Sequence, residues 1–278
     1  MRVLTMDKAK IRTILKDTNI ALFGSNLRTL SIAHSFQELN IDVVSVQNDS
    51  DEINLHDFDL CILAGWSKLI KPDDLVKPRY GFINCHAGKL PEYRGSSPLN
   101  WSILNNEKKF GLSVISADAS FDTGSILVTR EFDILTNHGI QDLHAIANSN
   151  FPEMVIEASV KKVLGLEGYM QPKNCSKYYP LRSSEDGEIN WYLDDAQKIA
   201  QKIKALGPPY PGCYCYFRSY KVFFSKIISI DPNFCGEISK IYRVKQNQIL
   251  VTTKNGAICV EYRCEDDLSL KPYEVFDK

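Results

Sequence analysis

From Asn19 to about Leu164, short apolar runs alternate with stretches of helical periodicity, and this alternation leaves few folds open to the chain. Asn19 to Phe23 reads as a strand ended by Gly24, Asp42 to Val46 as a second, and Leu60 to Ala64 as a third. The third is apolar at every position, the pattern of a strand buried on both faces. Gly81 to Cys85, Leu112 to Ile115 and Ile126 to Val128 continue the series. Between them fall a helix with Leu27, Leu30, Ile32, Ala33 and Phe36 as its apolar residues, and a helix opened by Pro98 that carries Trp101, Ile103 and Leu104. A long helix from about Gln141 to Leu164 follows, buried through Leu143, Ile146, Ala147, Met154, Val155 and Ala158, with Pro152 expected to kink or interrupt it. Strands separated by helices build a mostly parallel, Rossmann-like open sheet covered by helices.

The pattern changes after Gly165 and Gly168, which end the long helix. The expected division is therefore residues 1–167 as a first domain and 168–278 as a second. QPKNCSKYYPLRSSEDG reads as an irregular linker. Asp194 and Gln197 predict a capping box for a helix buried through Ala196, Ile199, Ala200, Ile203 and Leu206. Beyond GPPYPG the chain turns to strands at Tyr214–Phe217, Val222–Ile230, Ile249–Thr253 and Ile258–Tyr262, with Asn255-Gly256 as a hairpin turn between the last two. A smaller, mostly β domain, open or partly barrel-like, follows the α/β domain. Met1–Thr18 predicts a helix using Ile11, Ile14 and Leu15.

Composition narrows the class. In 278 residues, 44% are hydrophobic and 24% charged, which supplies a globular core and excludes a disordered or fibrous chain. A formal charge of −1 gives no net pull toward nucleic acid or anionic lipid. No apolar run approaches the ~18 residues of a membrane span, and MRVLTMDKAKIRTILKD has no signal-peptide core, so a cytoplasmic protein is expected. The eight cysteines are scattered, several in apolar stretches, and predict reduced thiols. Without a CxxC pair or a His/Cys set of zinc spacing, no metal is expected.

The densest polar cluster is Ile83-Asn84-Cys85-His86-Ala87-Gly88-Lys89-Leu90-Pro91-Glu92-Tyr93-Arg94-Gly95. Asn84 and His86 lie two residues apart at the end of a strand and share a face. In open α/β sheets, ligands bind beyond that carboxyl edge. An amide donor beside an imidazole suits a reaction that builds an oxyanion and moves a proton, with Asn84 as donor and His86 as base or acid. The same pair would equally tie down a loop. A second polar group, Ser116 to Gly124, contains Asp118, read as a turn residue, and Asp122, a carboxylate able to orient an imidazole. Lys89 reads as a solvated loop charge, and Trp101 as core. Phe23-Gly24-Ser25-Asn26 carries one glycine where a dinucleotide fingerprint wants three, which favours a plain strand-to-helix turn.

From about Leu60 to Val128, LAGWSKLI, then N-x-H-x-x-x-L-P-x-x-x-G, then D-x-G, the chain resembles the tetrahydrofolate-dependent formyltransferases. Weaker similarity reaches Ile189-Asn190-Trp191 and Pro209-Tyr210-Pro211-Gly212. The resemblance implies Asn84, His86 and Asp122 as catalytic residues and N10-formyltetrahydrofolate as formyl donor. It assigns donor binding to Trp66, Ser67, Lys68, Leu69 and Ile70 and to Ala119, Ser120 and Phe121. It places Arg94, Gly95 and Ser96 on the substrate side.

Three amines compete within that family. The glycinamide ribonucleotide enzymes are usually single-domain, whereas about 110 residues follow the first domain here, room for an independent module. The tRNA enzymes need electropositive surface. Residues 168–278 hold 16 Lys+Arg against 13 Asp+Glu, and the loop QNDSDEINLHDFD is acidic. Tyr93-Arg94-Gly95, Ser97-Pro98-Leu99-Asn100-Trp101 and PPYPG look more like the sugar-modifying members. The resemblance therefore implies a nucleotide-linked amino deoxysugar as substrate, dTDP-linked first of all, and a homodimer serving O-antigen and lipopolysaccharide biosynthesis. Neither nucleic acid nor membrane is expected as a partner. The alternatives are a methionyl-tRNA formyltransferase and a non-catalytic folate- or nucleotide-binding homologue.

Overall fold

The computed structural model describes residues 7–48, 53–172, 177–264 and 268–277. The acidic positions 49–52, Cys175 and the first residues of the expected N-terminal helix lie outside them. Two compact units divide the chain: Met1–Pro98 with Lys109–Asp133 and His144–Pro180, and Leu99–Lys108 with Ile134–Leu143 and Leu181–Lys278.

The first unit is built on six strands: β1 (Ile20–Phe23), β2 (Val43–Val46), β3 (Leu60–Leu63), β4 (Phe82–His86), β6 (Lys109–Ser116) and β7 (Ile126–Asp133). A two-residue strand, β5 (Arg94–Gly95), pairs in parallel with β8 (Tyr178–Tyr179) in a separate ribbon. The main sheet runs β2-β1-β3-β4-β6-β7. The first four strands are parallel, and β6 runs antiparallel to both its neighbours, β4 and β7. Because β1 has β2 on one side and β3 on the other, the connections diverge beside it, and their carboxyl edge is where open sheets accept ligands. Every residue of β1 and of β3 is buried, as uninterrupted hydrophobicity requires.

The helices of this unit are α1 (Lys8–Leu15), α2 (Leu27–Gln37), the short α3 (Pro72–Leu75) and most of α5 (Ile140–Val163). In α1 only Leu15 is buried. In α2 the buried face is Thr29, Ile32 and Phe36, while Leu27 is 71% and Leu30 63% exposed. Spacings of three and four residues put those three side chains on one stripe, and Leu27 and Leu30 fall off it. Asn26 caps the helix, its Oδ1 accepting from Thr29 N–H at 3.2 Å. Pro152 does not interrupt α5, which stays helical for 24 residues. Phe151, Met154, Val155 and Ala158, all fully buried, anchor the turns on either side of the missing N–H.

The second unit holds α4 (Pro98–Leu104) from Leu99 onward, α6 (Ala196–Ala205) and a five-stranded antiparallel sheet. Its strands are β9 (Cys213–Phe217), β10 (Tyr220–Asp231), β11 (Ile241–Lys245), β12 (Gln248–Thr252) and β13 (Ala257–Cys264), in the order β11-β12-β13-β10-β9. Its core gathers Ile199 and Ile203 of α6 with Trp191, Phe224, Val251, Ile258 and Phe276. Trp191 and Phe276 stack with centroids 5.4 Å apart. Asn255-Gly256 makes the β12–β13 turn, with Gly256 at φ +83°. Strand β11 escapes sequence reading because it lies at the edge and fully buries only Ile241.

The helix cap falls one residue later than expected, and with Lys198 three residues on it is a simple cap rather than a capping box. Asp195 is the cap of α6, accepting from Lys198 N–H at 2.8 Å. Asp194 is 1% exposed and forms ion pairs with Lys198 at 2.8 Å and Lys202 at 2.6 Å. The seven described cysteines are free, and burial pushes the thiols of Cys61, Cys85 and Cys213 up to about 12. No described helix is long and apolar enough to cross a membrane.

Candidate active site

Strand β4 delivers Asn84 and His86 at the carboxyl edge of the sheet, and the connection from β6 to β7 delivers Asp122. They meet. Asp122 Oδ1 is 3.2 Å from His86 Nδ1 and 3.3 Å from Asn84 Nδ2, which donates to it. The other carboxylate oxygen, Oδ2, accepts from Gly95 N–H at 2.9 Å. His86 and Asp122 side chains are 6% and 9% exposed, so this is an enclosed cluster rather than a surface pair.

The local backbone makes the convergence feasible. Asp122 adopts φ +57°, a left-handed conformation that Asp tolerates better than most side chains. Asp118 shapes the same turn by accepting from Ser120 N–H at 3.1 Å and Thr123 Oγ1 at 2.7 Å. Gly95, at φ +97°, must be glycine twice over, because a Cβ there would also collide with the Tyr179 backbone.

Hydrogen bonding fixes the imidazole. His86 Nε2 lies 2.6 Å from the Tyr93 carbonyl oxygen, which only accepts, so Nε2 is the donor. The nitrogen left to exchange a proton is Nδ1, on the Asp122 side. Tyr93 is itself held by stacking on Tyr179, with centroids 4.8 Å apart and planes at 11°. Burial works against ionisation of Asp122. The hydrogen bond and charge of His86, the Gly95 N–H and the charge of Arg94 together outweigh it and hold the carboxyl below its ordinary value. The neighbouring Cys85 is no nucleophile, since burial keeps it a thiol.

The other expected positions scatter more. Trp66, Lys68, Leu69 and Ile70 line a cavity of about 530 Å3 whose apolar walls include Phe23 and Phe82. The Trp66 indole Nε1 is buried there without a hydrogen-bond partner, and Lys71 adds a second cation. Trp66, Ile70 and Ala117 pack on one apolar cluster formed by Ala21, Phe23, Val46, Cys61, Leu63 and Phe82. Ser67, Ala119, Ser120 and Phe121 are exposed and do not line the cavity. Gly95 and Ser96 are half-buried. Lys89 is an exposed loop charge, as expected, and pairs at the surface with Glu131 at 2.6 Å. Trp101 is half-buried and carries the Arg182 guanidinium 4.7 Å from its ring centroid.

Gln171 was not visible from the sequence, where it sits in a stretch that reads as linker. In the structure it is 8% exposed. Its Oε1 accepts from Arg94 Nε at 3.1 Å and from an Arg94 terminal nitrogen at 2.7 Å. Its Nε2 donates to the carbonyls of Asp122 at 2.9 Å and Gly124 at 2.7 Å. Arg94, only 9% exposed, is thus occupied within the protein.

The chain matches a formyl transferase family model over residues 23–158 and a formyl transferase C-terminal domain model over residues 182–265. A methionyl-tRNA formyltransferase of Geobacter sulfurreducens is 28% identical over 236 residues, covering 84% of this chain and 73% of that protein. Another, from Clostridium tetani, is 30% identical over 239 residues, covering 80% and 73%. A third, from Caldanaerobacter subterraneus subsp. tengcongensis, is 32% identical over 176 residues, covering 61% and 55%. The chain therefore spans between about half and three-quarters of the length of these curated relatives. HypX of Aquifex aeolicus in complex with tetrahydrofolic acid superposes with a TM-score of 0.70 at 17% identity, over 90% of this chain and 44% of that one. The Helicobacter canadensis N-formyltransferase bound to folinic acid and dTDP-3-aminofucose gives 0.68 at 17%, over 88% and 98%. A methionyl-tRNA formyltransferase from Clostridium thermocellum gives 0.62 at 20%, over 90% and 99%. At these identities the solved structures establish the fold. The chain belongs to the formyltransferase family and is an enzyme of that class.

The same relatives overturn the expected amino-sugar substrate and the expected lack of a nucleic-acid partner, because they are methionyl-tRNA formyltransferases. The sugar reading rested partly on Tyr93-Arg94-Gly95, yet Arg94 is buried against Gln171 and Gly95 is fixed by the Asp122 turn. Those residues report the architecture of the loop, not the substrate. It also rested on a charge count, which averages over a whole domain and does not describe the local field that a phosphate meets. The place in O-antigen and lipopolysaccharide biosynthesis loses its support with the sugar.

Proposed function

We propose that this enzyme transfers the formyl group of N10-formyltetrahydrofolate to the α-amino group of methionyl-tRNA. The observation that carries the reading is the identity of 28–32% with methionyl-tRNA formyltransferases. The donor suits the cavity beside Trp66. Its apolar walls accept a flat ring system, the unpartnered indole N–H can donate to a ring acceptor, and Lys68 and Lys71 are placed for carboxylates.

In the reaction a carbon–nitrogen bond forms to the substrate amine, the bond to the donor nitrogen breaks, and one proton passes from the first nitrogen to the second. Asn84 Nδ2 and His86 Nδ1 already converge on one oxygen, that of Asp122. Asn84 Nδ2 serves the formyl oxygen as it gains negative charge, an interaction worth ~3–4 kcal/mol for a typical directed donor. His86 Nδ1 carries the proton in transit, since Nε2 is committed to Tyr93. Asp122 fixes the orientation of the ring.

The direct test is incubation with N10-formyltetrahydrofolate and methionyl-initiator tRNA, following N-formylmethionyl-tRNA and tetrahydrofolate together. The two products are expected in equal amounts, in proportion to enzyme. Failure to formylate the charged tRNA under conditions where a known transferase succeeds would overturn the proposal.

A further inference from the structure

We propose that Arg94 and Gln171 form a positioning clamp that fixes the turn carrying Asp122, and so aims its carboxylate at Asn84 and His86. The proposal rests on the catalytic reading of Asp122 given above.

The Gln171 amide is used to its full valence. Its oxygen takes two N–H groups from Arg94, and its nitrogen gives both hydrogens to carbonyls, those of Asp122 and Gly124. Rotating the amide by half a turn would set its NH2 against a guanidinium and its oxygen against two carbonyls. The amide therefore has one orientation, and it grips the backbone at Asp122 and two residues beyond. Such a grip is needed because Asp122 sits at φ +57°, a conformation that a non-glycine residue keeps only where its surroundings enforce it.

Arg94 closes the arrangement from the other side. Its backbone lies in the β5–β8 ribbon, and the next residue, Gly95, donates its N–H to Asp122 Oδ2. One two-residue strand thus holds the Asp122 carboxylate through Gly95 and its backbone through Arg94 and Gln171. The positive charge of Arg94 additionally favours the ionised form of Asp122. The Gln171 amide has no polar capacity left over to explain by a ligand, and both residues are nearly inaccessible. Their role is in aiming, where a displacement of ~1 Å can cost about a hundredfold in rate.

The test compares Gln171→Leu, Arg94→Lys and Asp122→Asn in formyl transfer, with kcat, KM for each substrate, the pH–rate profile and the melting temperature measured for each. Gln171→Leu is expected to lower kcat about a hundredfold with KM changed less than threefold, and to move the acidic limb of the profile upward. Arg94→Lys keeps the charge but loses the fork, and is expected to lower kcat by about tenfold with little movement of that limb. If Gln171→Leu does not fold, Arg94→Lys decides: an unchanged kcat overturns the clamp. A folded Gln171→Leu enzyme with wild-type kcat, or one whose loss leaves the acidic limb in place, also overturns it. An active Asp122→Asn enzyme would instead sink the catalytic reading beneath the clamp.

Discussion

Each unit buries one aspartate deeply, and the two differ in what surrounds them. Asp194 in the second unit is 1% exposed, flanked by Lys198 and Lys202, and accepts from Asn190 N–H at 2.9 Å. Asp122 in the first is 9% exposed, flanked by His86 and Asn84, and accepts from Gly95 N–H. For both, burial opposes ionisation and hydrogen bonds and charge win, so both carboxyls are held below the ordinary range. A depressed carboxyl therefore does not by itself mark a site. Asp194 faces two ammonium groups at ion-pair distance, and the result is a fixed structural cage. Asp122 faces an imidazole and an amide, groups that can trade a proton or a hydrogen bond with a third partner. The chemistry resides in the partner.

The sharpest way to break this contrast is His86→Ala. Removing a proton-transfer group typically costs 10²–10⁴-fold, and we expect formyl transfer to fall about a thousandfold while the melting temperature drops only a few degrees. A variant with near-wild-type turnover would put Asp122 in the same class as Asp194, a carboxylate that only holds structure.

The complementary substitution is Asp194→Ala. It leaves Lys202, with a side chain 13% exposed, lacking its ion-pair partner. Stripping one member from a buried pair costs ~3 kcal/mol or more, read as a lower midpoint in urea. Turnover per folded molecule should not change. A variant of normal stability would show that the cage is dispensable, and a slow but stable one would show that Asp194 has a functional role.

Acid separates the two again. Each carboxyl has a folded pKa below its unfolded one, so its stabilisation is complete above about pH 4 and is lost as the pH falls through the lower, folded value. Between pH 4 and pH 2, Asp122→Asn and Asp194→Asn should each flatten the loss of stability by up to about 1.4 kcal/mol per pH unit, one proton's worth. Only Asp122→Asn should also change the acidic limb of the rate profile. Unaltered slopes in both variants would mean that neither carboxyl is depressed.

The first unit was largely legible in its sequence, because strands buried on both faces and a strand-end Asn-x-His are strong local patterns. The convergence of Asp122 on that pair was not, since it depends on a left-handed turn and on Gly95 arriving from a third segment. Gln171 was beyond reach for a related reason. An isolated glutamine before a proline carries no periodic signal, and its four hydrogen bonds exist only once 77 residues of chain have brought it back to Arg94. Four of the five residues expected in the Trp66 loop line the cavity, and the Ala119–Phe121 loop lies exposed outside it. The substrate was misread from strings whose identity the fold already dictates. In the second unit the central strands followed from their apolar runs, but the edge strand β11 alternates with polar residues that carry no burial signal.

The smallest effect tests the finest error. Reading Asp194 with Gln197 as the capping box puts the cap one residue early and exchanges the roles of Asp194 and Asp195. With Asp195 as cap, Asp195→Ala should cost about 1 kcal/mol, the usual loss when one N-terminal N–H of a helix forfeits its acceptor. Asp194→Ala should cost about three times as much, because it strands a charge. If Asp194 were the cap, Asp195→Ala would cost close to nothing, because Asp195 makes no ion pair among the described residues. Urea midpoints of the two single variants, compared at neutral pH, decide between them, and equal penalties would mean that the carboxylates share the load and that the cage round Asp194 is weaker than its geometry implies.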